Sequence, residues 1–211
     1  MKHCLENIDS MIFDLDGTLW DATEEIAKSW SSILPKYNTS KKEITKDELK
    51  GYMGLPLDDI IEKMFKDMDK EEVKALVKEC CEFQNEHLKN NGATLYDKIE
   101  DTLKELSKKY KLFIVSNCED GYIESFLEFY NFDKYFQDFE CPGRSNLLKA
   151  ENIGLVIKRN NLKNPIYVGD THMDSEAAKK AGIPFIFANY GFGNTNEYTS
   201  KIEKFEELLN L

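Results

Sequence analysis

Arginine is scarce in this sequence, and acidic residues outnumber basic ones. Arg144 and Arg159 are its two arginines, and 39 Asp and Glu residues stand against 28 Lys and Arg residues, for a formal net charge of -11. A protein that binds a polyphosphate backbone needs a cluster of basic side chains. We therefore expect no nucleic-acid partner. A small phosphorylated metabolite is compatible with the acidic chain, because a bound divalent cation reverses the local field at one pocket.

Cysteine and long apolar runs are also scarce. The five cysteines are an odd number, and the adjacent Cys80 and Cys81 fit neither a disulfide framework nor zinc-ligand spacing. Residues 1–8 carry charges and lack an apolar run of the signal-peptide type, and no stretch reaches the ~20 apolar residues of a membrane span. We expect a cytoplasmic protein with reduced thiols and no membrane partner, either a monomer or a homodimer.

The sequence does contain a regular alternation of strand and helix patterns. Short apolar runs that end in turn residues predict strands, and periodic segments predict helices between them. Such an alternation is typical of an α/β fold with a parallel sheet covered on both faces. A weaker strand at residues 136–141 is expected at an edge. The predicted strands cover residues 11–15, 112–115, 166–168 and 185–188, and the predicted helices cover residues 97–110, 119–130, 149–161 and 174–181.

Residues 21–92 interrupt this alternation, because they show helical periodicity and no convincing strand. Connections in α/β units are usually about 2–6 residues long, so this segment predicts a small all-helical domain inserted after the first strand. The core is then formed by residues 1–20 and 93–211. Helices are expected near residues 22–36, 45–50, 57–66 and 70–90, with residues 90–92 as the return linker.

Two acidic residues, Asp14 and Asp16, flank Leu15 at the carboxyl end of the first predicted strand. Ligands of open α/β sheets bind at the carboxyl ends of the strands, and residues i and i+2 of a strand point to the same side. Two carboxylates in one pocket repel each other unless one is protonated or a cation lies between them. Both conditions suit phosphoryl transfer, with Asp14 as nucleophile and Asp16 as proton donor. The alternative is that Asp16, Gly17 and Thr18 only form a turn.

Asp170 ends another predicted strand, and Asp174 follows four residues later at the start of a helix. If the first and fourth strands are neighbours, Asp14 and Asp170 converge on a site of oxygen ligands that suits Mg²⁺. The alternative for Asp174 is a purely structural helix N-cap.

Three segments resemble the motifs of one known family. Residues 13–19 (Phe-Asp-Leu-Asp-Gly-Thr-Leu) resemble motif I of the haloacid dehalogenase superfamily, residues 115–117 (Val-Ser-Asn) resemble motif II, and residues 169–174 (Gly-Asp-Thr-His-Met-Asp) resemble motif IV. They occur in the family's order and span nearly the whole chain. The resemblance implies a Rossmann-like parallel sheet of strand order 5-4-1-2-3 with an inserted all-helical cap domain of the C1 type.

The resemblance also implies roles for individual residues. Asp14 would form an aspartyl-phosphate, and Asp16 would act first as general acid and then as general base. Asp14, the backbone carbonyl of Asp16 and Asp170 would hold Mg²⁺, supported by Asp174. Ser116 would bind the phosphoryl oxygens.

The family's remaining motif, motif III, contains a lysine or arginine ahead of the fourth strand. Lys149, which begins a predicted helix, is the preferred candidate, although related phosphatases commonly have Pro after this lysine where Ala150 stands here. Arg144 is the rival candidate. Either residue is also compatible with a solvated surface charge, and only spatial proximity to Asp14 distinguishes them.

The insert contributes the expected substrate contacts. Residues 51–57 resemble the substrate-specificity loop of phosphoglycolate-phosphatase-like members, which makes Gly54 and Leu55 candidate contacts; the alternative is a helix–helix turn. Trp20, Thr18 and Asn117 complete the candidate substrate-binding set. The insert contains no arginine, so it has no bidentate clamp for a substrate carboxylate, although Lys50 could act as a point charge.

Together these features predict a Mg²⁺-dependent phosphatase that hydrolyses a small-molecule phosphate monoester, and residues 51–57 resemble the phosphoglycolate-phosphatase type. A phosphomutase acting on sugar phosphates would use the same core but would return the phosphoryl group to its substrate. A non-catalytic protein that binds phosphorylated metabolites is a further alternative, against which the complete set of Asp14, Asp16, Ser116 and Asp170 argues.

Overall fold

A computed structural model of the chain describes residue 5, residues 7–66 and residues 68–211, and of residue 58 only the backbone. Most of residues 1–8, in which no signal-peptide pattern was found, therefore lies outside the described residues. Within the described part, no helix is both long enough and apolar enough to cross a membrane. In chain order the strands are β1 (Ser10–Phe13), β2 (Trp20–Asp21), β3 (Thr94–Leu95), β4 (Lys111–Val115), β5 (Phe136–Glu140), β6 (Pro165–Gly169), β7 (Phe185–Ala188) and β8 (Ser200–Ile202).

Six of these strands form one parallel sheet in the order β5-β4-β1-β6-β7-β8. Numbered along the chain and read from the β8 edge, the order is 6-5-4-1-2-3, so it contains the predicted 5-4-1-2-3 and differs from it by one added edge strand. The predicted fold class is confirmed, and β5 lies at an edge as expected. The sixth strand, β8, was not predicted. Its three residues, Ser200, Lys201 and Ile202, form no apolar run, so the strand arises from pairing with β7 rather than from a local pattern.

The sheet is buried on both faces, which explains its apolar strands. Neighbouring residues of β1 point to opposite sides: Met11 and Phe13 belong to one core cluster, and Ile12 belongs to the other. Completely burying an Ile or Phe side chain contributes about 1.5–3 kcal/mol. The helices are α1 (Thr23–Ile33), α2 (Lys46–Lys50), α3 (Leu57–Met64), α4 (Lys70–Asn91), α5 (Ile99–Leu106), α6 (Tyr122–Tyr130), α7 (Pro142–Ser145), α8 (Lys149–Arg159) and α9 (His172–Ala181).

Helices α1 to α4 form the insert, and the two connections to the core pair with each other. β2 and β3 are antiparallel, with Trp20 opposite Leu95 and Asp21 opposite Thr94, so the chain leaves and re-enters the core at the same place. This short ribbon was not predicted, because neither two-residue strand has a recognisable pattern. The four helices lie within residues 21–92, and the domain limits themselves stay a prediction.

Several observed helix ends differ from the predicted ones, and a glycine marks two of them. α4 continues through Asn91 and ends at Gly92, whose φ of 65° is open to glycine at little cost, so the predicted linker at residues 90–92 is nearly all helix. α6 begins only after Gly121, which has φ 88°, rather than at residue 119. The observed α5 is also shorter than the predicted helix of residues 97–110.

Candidate active site

The candidate site lies where the sheet's two central strands end. Asp14 directly follows β1, Asp170 directly follows β6, and these strands are neighbours, with Phe13 opposite Val168. The Asp14 backbone N–H donates to the Val168 carbonyl at 2.8 Å. Asp14, Asp170 and Asp174 are almost completely buried, and one carboxylate oxygen from each lies within 4.8 Å of the others. The two distant chain segments therefore meet as the sequence analysis required.

Lys149 is the cation that reaches these acids. Its Nζ lies 2.9 Å from Asp14 Oδ1 and 2.6 Å from Asp174 Oδ1, and its side chain is 5% exposed. Burial acts to lower the pKa of Lys149, but the attraction of Asp14 and Asp174 outweighs it and holds that pKa well above its ordinary value. The lysine is therefore a permanent positive charge beside Asp14.

Arg144, the rival candidate for this position, lies elsewhere. Its guanidinium is 3.7 Å from Asp120, 3.8 Å from Glu124 and 3.9 Å from Glu140, and it stacks over the Phe139 ring. Between the two candidates, the geometry favours Lys149.

Asp174 holds the surrounding groups in place. Its Oδ1 accepts from Lys149, and its Oδ2 accepts from the backbone N–H of Asp170 at 3.2 Å and of Thr171 at 2.9 Å. The helix N-cap is Thr171, whose hydroxyl accepts from the Asp174 N–H, so the N-cap alternative for Asp174 is wrong by three residues. Because donors already occupy both of its carboxylate oxygens, the geometry favours Asp174 as a support beside a metal ion over Asp174 as a main ligand.

The two carboxylate oxygens of Asp170 differ in their hydrogen bonding. Its Oδ2 accepts from the backbone N–H of Phe192 at 2.7 Å and of Gly193 at 3.4 Å, whereas its buried Oδ1 has no hydrogen-bond partner among the described residues. Burial, followed by repulsion from Asp174 and Asp14, raises the pKa of Asp170 well above its ordinary value. A buried carboxylate oxygen without a donor is unfavourable, and a hard cation would satisfy it. The residues present therefore fit Mg²⁺.

The loops that surround Asp170 approach it closely. Gly17 has φ 81°, and a Cβ at this position would overlap the Asp170 carboxyl group. Sequence reasoning missed the loop that carries Phe192 and Gly193. The available signal was its position after a predicted strand, at the edge of the sheet where the other site residues lie.

Asp16 has the environment of a proton donor. Burial raises its pKa to about 7, while the hydrogen bond from the Tyr122 hydroxyl to Asp16 Oδ1, 2.8 Å long, acts in the opposite direction. A carboxyl with this pKa is substantially protonated at neutral pH and can still release its proton. Asp14 has a pKa of about 6, raised by burial and lowered again mainly by Lys149. Tyr122 was also missed, since nothing in a helical pattern distinguishes a tyrosine that faces a pocket.

Ser116 and Asn117 connect the core to the insert. Ser116 is buried at the end of β4, and its hydroxyl helps to lower the pKa of Asp14. The Asn117 Nδ2 donates to the Gly54 carbonyl at 3.0 Å, which brings the loop of residues 51–56 over the site. Leu55 and Gly54 line a cavity together with Asp16.

Two of the candidate substrate contacts are not found. Trp20 is completely buried and packs against Tyr122, Phe126 and Tyr130. Thr18 is also completely buried, and its hydroxyl has no partner among the described residues. The reason is that the chain turns inward after Asp16 to form β2, so no surface of either side chain is open to a ligand.

A parallel α/β core with buried acids at the ends of adjacent strands, next to a helical insert, defines a class of hydrolases. Residues 11–188 match the family model for haloacid dehalogenase-like hydrolases. The chain belongs to this family, and the predicted enzyme class, a phosphatase of the haloacid dehalogenase superfamily, is confirmed.

Individual relatives agree with this assignment. The chain is 29% identical over 197 residues to a phosphoglycolate phosphatase of Aquifex aeolicus, covering 88% of this chain and 87% of the relative. It is 28% identical over 187 residues to the pyrophosphatase PpaX of Anoxybacillus flavithermus, covering 83% and 81%. The crystal structure of a predicted phosphatase from Clostridium acetobutylicum is similar, with a TM-score of 0.78, 25% identity, and coverage of 97% of this chain and 99% of that one.

Proposed function

We propose that the protein is a Mg²⁺-dependent phosphatase that hydrolyses a small-molecule phosphate monoester through an aspartyl-phosphate on Asp14. The observation that carries the proposal is the position of Asp14. Its carboxylate lies against the Lys149 ammonium, in the same buried cluster as Asp170, and two residues before a carboxyl whose pKa is about 7. The names of the relatives, phosphoglycolate phosphatase and pyrophosphatase, support a small phosphorylated substrate.

The cation would be held by Asp14, the backbone carbonyl of Asp16 and Asp170. Bound there, Mg²⁺ would offset the repulsion between the carboxylates and attract the phosphoryl oxygens. Asp174 would keep the site in shape through its hydrogen bonds to the N–H groups of Asp170 and Thr171.

The side chains of the site divide the chemistry between them. A carboxylate oxygen of Asp14 attacks phosphorus, and Asp16 gives its proton to the leaving oxygen. Lys149 and Ser116 stabilise the negative charge that spreads over the phosphoryl oxygens. A water molecule then hydrolyses the aspartyl-phosphate, and Asp16, now ionised, accepts a proton from that water.

Substitution of the nucleophile tests the proposal. Asp14→Asn should abolish release of phosphate from p-nitrophenyl phosphate in the presence of Mg²⁺, because an amide is a poor nucleophile. A circular dichroism spectrum equal to that of the unchanged protein would show that the fold is intact. Turnover retained by Asp14→Asn would rule out the aspartyl-phosphate. Incubation with sugar phosphates distinguishes a phosphatase from the alternative phosphomutase, since only hydrolysis releases inorganic phosphate.

A further inference from the structure

A cavity between the insert and the core opens beside Asp16, where the leaving group of a phosphate ester would lie. The core contributes Asp16, Asn117 and Tyr122 to its wall, and the insert contributes mainly apolar side chains. The apolar side chains of the insert in this wall include Ile26, Trp30, Leu49, Met53, Leu55 and Leu57.

The described wall of this cavity has no basic side chain. Asp16 and Glu119 line it, and none of the described lining residues is Lys, Arg or His. A substrate carboxylate placed here would meet a mainly apolar surface and no basic side chain of the described wall to pair with. A carboxylate moved next to apolar groups loses its hydration, and without a pairing cation this loss opposes binding.

Three lysines that could be considered as partners of a substrate carboxylate contact acids of the protein instead. Lys50, the point charge considered from the sequence, lies 4.0 Å from Asp21 and does not line the cavity. Lys46 is 3.2 Å from the same carboxylate. Lys149 contacts Asp14 and Asp174 and does not line the cavity either.

The polar group that the insert does offer is neutral. The Trp30 indole N–H donates to Gln84 Oε1 at 2.8 Å, which orients the Gln84 amide. No hydrogen bond from the Gln84 NH₂ group is found among the described residues, so this group is a donor for a hydroxyl or carbonyl oxygen of a ligand. About 60 Å³ of the cavity is open to the centre of a water molecule, so a small leaving group fits there.

We propose that this cavity accepts the small, uncharged alcohol part of a phosphate monoester and rejects alcohols that carry a carboxylate. The inference rests on the proposed phosphatase function and adds the substrate class. It separates this chain in specificity from the relatives named phosphoglycolate phosphatase, whose substrate bears a carboxylate next to the ester carbon.

Two esters of equal shape test the inference. Phosphoglycolate and the phosphate ester of glycolamide differ in that a carboxylate is replaced by a neutral amide. At neutral pH with Mg²⁺, kcat/KM should be at least about tenfold higher for the glycolamide ester, which corresponds to about 1.4 kcal/mol. Equal or better hydrolysis of phosphoglycolate would overturn the inference while the phosphatase function stands. No phosphate release from either ester or from p-nitrophenyl phosphate would overturn the proposed function and, with it, this inference.

A charge added to the wall gives the reciprocal test. Met53 is half-buried in the cavity wall, so Met53→Lys introduces an ammonium there on a side chain of similar length. We expect this variant to reduce the preference for the glycolamide ester by about tenfold, because the ammonium attracts the carboxylate. Met53→Gln, which is polar but uncharged, should leave the ratio within about twofold of the original. An unchanged ratio in Met53→Lys, or an equal change in Met53→Gln, would overturn the inference.

Discussion

Lys149 is a buried charge for which we propose a role in both stability and catalysis. Two carboxylates contact its ammonium in a place that water barely reaches. A buried ion pair contributes little net stability when complete, but removal of one partner leaves the other charge uncompensated. The same ammonium lies where a phosphoryl group would bind to Asp14.

Loss of this ammonium should affect both properties. We expect Lys149→Met to lower kcat/KM for p-nitrophenyl phosphate by at least about 100-fold and to reduce the free energy of unfolding by about 3–5 kcal/mol. Steady-state kinetics and urea denaturation measure the two effects. Arg144→Met is the matched control, because Arg144 contacts neither Asp14 nor Asp174, and it should retain activity. A greater loss of kcat/KM in Arg144→Met than in Lys149→Met would contradict the choice of Lys149 as the cation that acts beside Asp14.

We expect Tyr122 to affect the reaction through Asp16. Its hydroxyl donates to the carboxyl that is proposed to protonate the leaving oxygen. We expect Tyr122→Phe to lower kcat/KM about tenfold for an alkyl phosphate, whose leaving group needs a proton, and much less for p-nitrophenyl phosphate, whose leaving group does not. A purely structural role would lower both values equally, and that result would contradict the prediction.

At the scale of elements, the short loop after β1 brings the backbone close to Asp170. Gly17 allows this approach for two reasons. Its φ of 81° is rarely adopted by residues other than glycine, and it has no Cβ, which would overlap the Asp170 carboxyl. The loop also carries Asp16, so its path decides where the proton donor lies.

Gly17→Ala should therefore destabilise the fold and impair catalysis. Gly182, the residue that ends α9, is the matched control, because its φ is 75° but a Cβ there would meet nothing within 4 Å. Gly182→Ala should cost about 1–2 kcal/mol of backbone strain and leave kcat/KM unchanged. Gly17→Ala should cost more stability and also lower kcat/KM. Similar behaviour of the two variants in urea denaturation and kinetics would show that the contact with Asp170 is unimportant.

At the scale of the whole molecule, the insert and the core share the site. The β2–β3 ribbon joins them covalently, and the Asn117–Gly54 hydrogen bond joins them directly above the acids. Asn85 of α4 adds a hydrogen bond to the Asp120 carbonyl, 2.9 Å long. These contacts hold the apolar wall of the insert over Asp16.

Removal of the contact above the acids should weaken substrate binding without unfolding the protein. A hydrogen bond contributes about 0.5–1.5 kcal/mol, so Asn117→Ala should raise KM by about two- to tenfold. The free energy of unfolding should change by less than about 1.5 kcal/mol. Kinetics and urea denaturation check both values. A KM equal to that of the unchanged protein would show that this contact plays no part in closing the site.

The amino-acid sequence by itself predicted the alternation of strands and helices, the helical segment of residues 21–92 and the candidate acids Asp14, Asp16, Asp170 and Asp174, because buried strands, helix periodicity and acids at strand ends are local patterns. The strand order was predicted from the resemblance of three motifs to a known family. Only the tertiary structure distinguished Lys149 from Arg144 as the residue beside Asp14, and only it showed that Thr18 and Trp20 are buried. It also showed the strand β8 and the contacts of Tyr122 with Asp16 and of Phe192 with Asp170. The physical reason is that these outcomes depend on distances between residues far apart in the chain. Local periodicity tells which face of an element is buried, but not which side chain of another element lies opposite it.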